Sequence, residues 1–225
     1  MGKYIEVQGV AETLDLLKPT EAAVVSGVEL KIVNHAIDRA LPPRVIRRGK
    51  GKSITAEACF YIAFYHRSAG KLTADERRFA ILDIDRRVEA AGEGSSRWQS
   101  LRRHCTVHHD FLALNLDGFW TETHERWGRY MAAREIVETD PDILGGTPVI
   151  AGTRVPVHDV AASVEADISL SRIARAYPSL NAEQIELASL YARANPLQGR
   201  PPKRRPVEGA KILSKRTIER RRQSA

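Results

Sequence analysis

The segment at residues 140–157, with the sequence DPDILGGTPVIAGTRVPV, constrains the fold of this chain more than any other. Its adjacent glycines, Gly145 and Gly146, permit positive φ angles, and Pro148 then fixes an extended entry into a short apolar run. Pro156 suits the first turn of a helix, where its missing N–H is not needed. The pattern predicts a compact strand–turn–strand element that leads into a helix.

Three helices are predicted after this element, at residues 157–166, 170–177 and 182–194. Asn181 is placed to cap the last helix, and Pro196 is placed to end it. The segment and these helices resemble the small prokaryotic family catalogued as domain of unknown function 433, which occurs in VapB-type antitoxins of toxin–antitoxin pairs. The resemblance implies a small, helix-turn-helix-like domain of three helices.

The N-terminal region predicts a helix, a turn and a second helix between residues 18 and 39. Thr20 is the expected N-cap, and Ser26 and Gly27 are expected to form the turn. Two short basic strands around Gly49 and Gly51 follow. This order resembles MerR-like and excisionase-like winged domains, and the N-terminal half of larger VapB-group antitoxins. Four apolar residues of the second helix recur at helical spacing and are expected to face inward: Leu30, Val33, Ile37 and Ala40.

A second helix with a polar outer face can enter the major groove of DNA, where amide side chains pair with adenine and basic side chains reach guanine or phosphate. A basic wing can contact phosphates or the minor groove. The alternative is a packing hairpin with solvated charges. The candidate DNA-binding residues are Lys31, Asn34, His35, Arg39, Arg44, Arg47, Arg48, Lys50 and Lys52.

The expected fold class is mainly α with short β elements. Residues 1–91 are predicted to form a winged helix-turn-helix domain, and residues 92–135 a linker with a connecting strand and helix. Residues 136–196 are predicted to form the antitoxin-associated domain. Residues 197–225 are expected to be a basic tail that is disordered unless bound.

The positive charge of the chain is concentrated in that tail. The whole chain carries a formal charge of +7, whereas residues 197–225 contain ten Lys or Arg and two Glu, so the remainder is nearly neutral. The resemblance implies a PIN-like ribonuclease toxin with an acidic, Mg²⁺-dependent site, which attracts an Arg-rich segment. A nonspecific grip on nucleic acid and a solubility tail are the alternatives. The candidate toxin-binding residues are Arg200, Lys203, Arg204, Arg205, Lys211, Ile212, Leu213, Lys215, Arg216, Arg220, Arg221 and Arg222.

The remaining motifs favour neither catalysis nor a cofactor. Cys105 and His108 have a spacing compatible with zinc, but no second matched pair follows, so no metal is expected. Ile46 stands where a phosphate loop requires glycine. Arg154 either binds an anion or closes its turn by bonding carbonyls or a carboxylate such as Asp140, and we expect the second role.

Cellular location follows from two simple features. The two cysteines are too few for a disulfide scaffold and suit a reducing cytoplasm. No apolar run approaches the ~18 residues that span a bilayer. We therefore expect a cytoplasmic antitoxin that neutralises a PIN-like ribonuclease and represses its own operon, as a homodimer or a hetero-oligomer with the toxin. The alternatives are a stand-alone transcriptional regulator and a recombination accessory factor.

Overall fold

The computed structural model describes residues 16–49, 51–91, 97–109 and 112–197. In these ranges the chain is mainly helical with short strands, which confirms the expected fold class at that level. None of the helices in the described ranges combines the length and the apolar character that a membrane span requires. The expected linker at residues 92–96 and the whole of the tail beyond Leu197 lie outside the described residues.

The first half of the chain alternates short strands with helices. A 3-10 turn at Pro43–Val45 precedes the second strand. The elements are β1 (Leu16–Leu17), α1 (Pro19–Ser26), α2 (Leu30–Arg39), β2 (Ile46–Arg48), β3 (Lys52–Thr55), α3 (Ala58–Arg67) and α4 (Ala74–Ala90).

The second half contains two strand pairs and the longest helix. The elements are α5 (Arg97–Arg103), β4 (Thr106–His109), β5 (Leu112–Asn115), α6 (Asp117–Glu135), β6 (Val137–Glu138), β7 (Val149–Ile150), α7 (Val157–Glu165), α8 (Leu170–Ala176) and α9 (Ala182–Ala194). The three helices expected after residue 156 are therefore confirmed.

Helix α1 begins differently from the expectation. Its N-cap is Lys18, not Thr20, because Pro19 occupies the first helical position and the Glu21 carboxylate accepts the Lys18 N–H at 2.6 Å. The helix ends at Gly27, whose φ of 68° is left-handed, and the next residue, Val28, donates its N–H to the Ala23 carbonyl at 3.1 Å. The expected tight turn between the two helices is confirmed.

Helix α2 packs one face on the core. Val33 and Ile37 are buried as expected, and Ala36 joins them. Leu30 is 41% exposed, so the expectation that it faces inward was wrong. Leu30 is the first residue of the helix, lies directly after the turn, and borders a groove.

The hairpin of β2 and β3 follows α2, and β1 pairs with the other edge of β3, giving the strand order β1-β3-β2. All pairings are antiparallel, with Leu17 opposite Ile54 and Ile46 also opposite Ile54. The sheet therefore holds the hairpin beside α1 and α2. The two short strands expected around Gly49 and Gly51 are confirmed.

Residues 97–135 belong to the first core, which corrects their expected role as a linker and connecting segment. Leu101, Val107, Trp120 and Tyr130 are buried in one cluster with the residues of α1 to α4. The long helix α6 packs against both α1 and α3. These contacts join positions that are far apart in sequence, so no local pattern indicated them.

The second core is smaller and contains the Gly- and Pro-rich segment. Val137 pairs with Ile150, and Pro156 precedes the first residue of α7, so the predicted strand–turn–strand element is confirmed. The side chains of Ile173 and Ile185 are buried in this core. Helix α9 packs against α7 in this core and also against α1 and α6 of the first core.

Candidate nucleic-acid interface and the adjoining groove

The outer face of α2 carries polar and basic side chains. Lys31, His35 and Arg39 are exposed, and Asn34 is half-buried. The Lys31 ammonium lies 2.8 Å from the Glu29 carboxylate, and this hydrogen bond raises the pKa of Lys31 and lowers that of Glu29. Both groups are exposed, so the pair can open at little cost to let Lys31 reach an anion.

The hairpin places more cations beside this helix. Arg47 and Arg48 are exposed, and Lys52 donates a 2.6 Å hydrogen bond to Asp38 of α2. That bond lowers the pKa of Asp38 and ties the hairpin to the helix. Lys50, the remaining hairpin candidate, lies outside the described residues. The structure thus brings together the side chains of Lys31, Asn34, His35, Arg39, Arg47, Arg48 and Lys52 on neighbouring elements.

Arg44 has a different environment from the other candidates. Its Nε donates to the Asp85 carboxylate at 2.7 Å, and only about a fifth of its side chain is exposed. Burial acts to lower its pKa, but the hydrogen bond and charge of Asp85 dominate and raise it. The Tyr61 hydroxyl also donates to Asp85, at 3.3 Å. Arg44 therefore holds the base of the hairpin against α4. Among the described residues, its guanidinium is paired with a carboxylate of the protein, unlike those of the exposed arginines of the candidate interface.

The two residues with zinc-compatible spacing differ in environment, because Cys105 is buried whereas His108 is exposed. Cys105 is buried and donates to the Leu101 carbonyl at 3.1 Å, and burial raises the pKa of its thiol to about 12. The same cause raises the pKa of the buried Cys59 thiol to about 12. His124 stacks on Trp120 at 4.6 Å. Among the described residues, no group of three His, Cys, Asp or Glu side chains is arranged to hold a metal ion.

Arg154 does not close its turn, contrary to the expectation. Its side chain is exposed and has no hydrogen bond or ion pair with any other described residue. Thr153 makes the closing contacts instead, since its hydroxyl donates to the Ile150 carbonyl at 2.7 Å and accepts the Val155 N–H at 3.1 Å. A hydroxyl close to its own backbone can close a tight turn with less ordering than a long Arg side chain.

A groove of about 990 Å³ lies beside the turn between α1 and α2. One wall is formed by α1 and that turn, and the opposite wall by α9, with residues of α6 and α7 between them. The groove combines apolar and charged side chains, which include Val24, Leu30, Arg126, Leu190 and Arg193. Sequence reasoning missed it, because its lining residues come from six helices, α1, α2, α3, α6, α7 and α9, which are spread along the chain.

A chain of polar contacts, buried at Tyr130 and Glu21 and partly exposed at Asn195 and His158, joins the two cores beside this groove. The Tyr130 hydroxyl of α6 donates to the Glu21 carboxylate of α1 at 2.7 Å, and the Asn195 amide donates to the Tyr130 hydroxyl at 3.5 Å. His158 Nε2 of α7 donates to the Asn195 carbonyl at 2.8 Å. Burial and the Glu21 carboxylate raise the pKa of Tyr130, so its hydroxyl remains a donor at neutral pH.

The proposed toxin-binding set, residues 200–222, lies outside the described residues. Its attachment point is nevertheless defined, because Asn195 and Pro196 follow α9 directly and Pro196 borders the groove. The described part of the chain therefore ends, at Leu197, close to where the two cores meet.

Comparisons with known proteins support the C-terminal resemblance. Residues 137–192 match the family described as protein of unknown function DUF433. The uncharacterized protein y4eO of Sinorhizobium fredii is 49% identical over 216 residues, which covers 93% of this chain and 96% of that protein. The crystal structure of Rv2018 from Mycobacterium tuberculosis has 19% sequence identity to this chain. The match covers 77% of this chain and 96% of that one, with a TM-score of 0.35. The chain therefore belongs to the same family as y4eO, with a DUF433 domain at its C-terminal end.

Proposed function

We propose that α1, α2 and the β2–β3 hairpin act as a winged helix-turn-helix that binds operator DNA. The observation that carries this proposal is the position of exposed cations on two adjoining elements, with Lys31 and Arg39 on α2 and Arg47 and Arg48 on the hairpin. In this class of domain the second helix contacts base edges in the major groove, while the surrounding cations contact phosphates. Asn34 is the candidate for adenine.

A gel-shift titration on the DNA upstream of the gene tests the proposal. Binding should weaken steeply as salt is added, because each phosphate contact releases condensed counterions. A homodimer should protect two half-sites about 34 Å apart along the duplex. Absence of binding to the upstream DNA at every salt concentration would remove the repressor role.

We further propose that the chain is the antitoxin of a toxin–antitoxin pair and has no catalytic activity of its own. The resemblance of residues 140–196 to a family that occurs in VapB-type antitoxins supports this proposal, and residues 137–192 match that family. The partner would be a PIN-like ribonuclease with an acidic site, to which the ten basic residues of the tail are electrostatically attracted. The chain would then act by occupying that site, in the cytoplasm where the ribonuclease acts.

Co-expression with the neighbouring gene tests the antitoxin role. The full chain should rescue growth and co-purify with the toxin, whereas a chain that lacks residues 198–225 should bind and inhibit it less well. Equal inhibition by both chains would end the proposed role of the tail.

The two alternative functions make different predictions about gene order. A stand-alone regulator would have no adjacent reading frame for a small carboxylate-rich protein. A recombination accessory factor would lie beside an integrase gene and would bend its DNA site. The antitoxin is proposed first because residues 140–196 resemble a family that occurs in VapB-type antitoxins.

A further inference from the structure

We propose that the groove between α1 and α9 is a docking site for an apolar, carboxylate-bearing segment of the toxin. This inference rests on the proposed antitoxin function and adds a second contact to the one proposed for the tail. The groove measures about 990 Å³ and is bordered by helices of both cores. A ligand seated in it would touch the turn before α2, the element proposed to bind DNA.

The apolar part of the groove favours a protein segment over nucleic acid. Val24 and Val28 line the side of α1 and its turn, and Leu190 lines the side of α9. Leu30 is 41% exposed here even though it is apolar, so its burial by a partner would be favourable. A phosphate backbone would gain nothing from these side chains, whereas an amphipathic helix would bury them.

The charges in the groove specify the chemistry of the occupant. The two acidic groups are already matched, because Glu186 pairs with Arg129 at 3.1 Å and Glu29 pairs with Lys31 at 2.8 Å. The arginines are not fully matched. Arg126 uses its Nη2 on Glu122 at 3.2 Å, whereas its Nη1 is shielded from solvent and has no hydrogen-bond partner among the described residues.

Arg193 adds a second unmatched cation. It is exposed and has no hydrogen bond or ion pair within the described part of the chain. A carboxylate on the occupant would pair with the Arg193 guanidinium in the planar two-point geometry that arginine favours, and at Arg126 it would approach a guanidinium that Glu122 only partly neutralises. The basic tail of this chain has the wrong sign of charge for these two arginines.

The position of Arg126 gives the groove a direct connection to the proposed DNA-binding unit. Its guanidinium lies against Gly27, so closely that a Cβ atom at that glycine would fall 2.9 Å from the Arg126 Cζ. A carboxylate that pairs with Arg126 would therefore contact the turn on which α2 depends. The groove and the tail would together bind the toxin across both cores.

Four variants of the full-length chain test the inference, with the toxin encoded by the neighbouring gene as the probe. Ser189→Trp fills the groove from α9, and Arg193→Glu reverses one of its unmatched charges. Ser171→Trp and Arg172→Glu make the same changes on α8, outside the groove. Calorimetric titration would give the toxin affinity, and circular dichroism would show that each variant is folded.

The groove variants should bind toxin at least tenfold more weakly than the wild type, whereas the α8 variants should stay within twofold. Wild-type affinity in both groove variants would overturn the inference and leave the antitoxin role intact. If those variants instead changed the mass of the free chain in light scattering, the occupant would be a second copy, which also overturns it. A wild-type chain that does not bind the toxin would overturn the antitoxin role and this inference together.

Discussion

Helices α2 and α9 differ in what surrounds them. Helix α2 buries only one face, through Val33, Ala36 and Ile37, and leaves a polar face open to solvent. Helix α9 packs against α7 on one side and against α1 and α6 on another. Ile185 and Ala188 belong to the second core, whereas Ala194 belongs to the first.

The difference indicates separate roles for two helices that sequence patterns alone describe as similar. A helix with one open, basic face is available to a ligand, and this is the basis of the proposal for α2. A helix that packs in two cores holds the units of the protein together, and α9 does so while its open edge borders the groove. The face of α2 proposed to bind DNA thus lies apart from the faces of α9 that pack in the two cores.

The largest expected effect is a loss of stability at the contact between Arg44 and Asp85, which holds the hairpin beside α2. Arg44→Ala should lower the free energy of unfolding by about 3–5 kcal/mol, because it leaves the Asp85 carboxylate in a largely buried position without its cation. Urea denaturation followed by circular dichroism would measure the loss. Arg48→Ala, which removes an exposed hairpin cation, should change stability by less than about 0.5 kcal/mol. Equal effects would contradict the structural role of Arg44.

The second prediction concerns the junction that α9 makes with the first core. Tyr130→Phe should cost about 1–3 kcal/mol, because the buried Glu21 carboxylate loses a hydrogen bond at 2.7 Å. Tyr65→Phe is the matched control, since the Tyr65 hydroxyl has no hydrogen bond among the described residues, and it should be nearly neutral. Hydrogen exchange should show faster opening of α9 in the Tyr130 variant alone. Unchanged protection of α9 would contradict the proposed tie between the cores.

Local features of the sequence predicted the local features of the fold. Thr73 and Glu76 have the three-residue spacing of a capping box, and the box forms, with the Thr73 N–H donating to the Glu76 carboxylate at 2.7 Å. Asn181 caps α9 by accepting the Gln184 N–H at 2.8 Å. Gly145 and Gly146 adopt the positive φ angles that the turn requires. Each of these depends on residues only a few positions apart, so the sequence contains the whole interaction.

The failures are contacts between residues that are distant in sequence. Arg44 lies in a basic run, and this pattern predicts a contact with DNA. Nothing near it in sequence indicates that its partner is Asp85, 41 positions later. Tyr130 and Glu21 are 109 positions apart, so neither the junction nor the groove had a sequence pattern of its own. Such pairings depend on tertiary packing, which local propensity and periodicity do not encode.

The third prediction tests whether α2, unlike α9, is a DNA-contacting helix. Arg39→Ala should weaken operator binding and reduce the slope of log affinity against log salt by about 0.9, the value for one phosphate contact. Asn34→Ala should instead reduce discrimination between the operator and random DNA if Asn34 pairs with a base. Glu183→Ala, a change on the exposed side of α9, should leave both quantities as they are. Fluorescence anisotropy at several salt concentrations would separate these outcomes.

The smallest expected effect is a gain of affinity. Asp38 lies on the proposed DNA-contacting face of α2 and holds Lys52 in an ion pair at 2.6 Å. Because Lys52 lowers the pKa of Asp38, the pair is present above the ordinary Asp pKa of 3.8 and is lost only as the pH falls through the lowered value. It is therefore fully formed in any operator assay near neutral pH. Asp38→Asn removes a negative charge that faces the phosphates and frees Lys52 to contact them, so operator affinity should rise a few fold and the salt slope should steepen by about 0.9.

The corresponding change of a carboxylate to an amide at Glu186 supplies the control. Glu186 of α9 pairs with Arg129 of α6. Glu186→Gln also removes one negative charge from a surface ion pair, but at a helix that is not proposed to contact DNA. Its operator affinity and salt slope should match those of the wild type. A gain of equal size in both variants would show that the affinity responds to the overall charge of the protein. A gain in Asp38→Asn alone would locate the duplex at α2 and the hairpin, because only a charge within about 10 Å of a phosphate escapes screening at ordinary ionic strength.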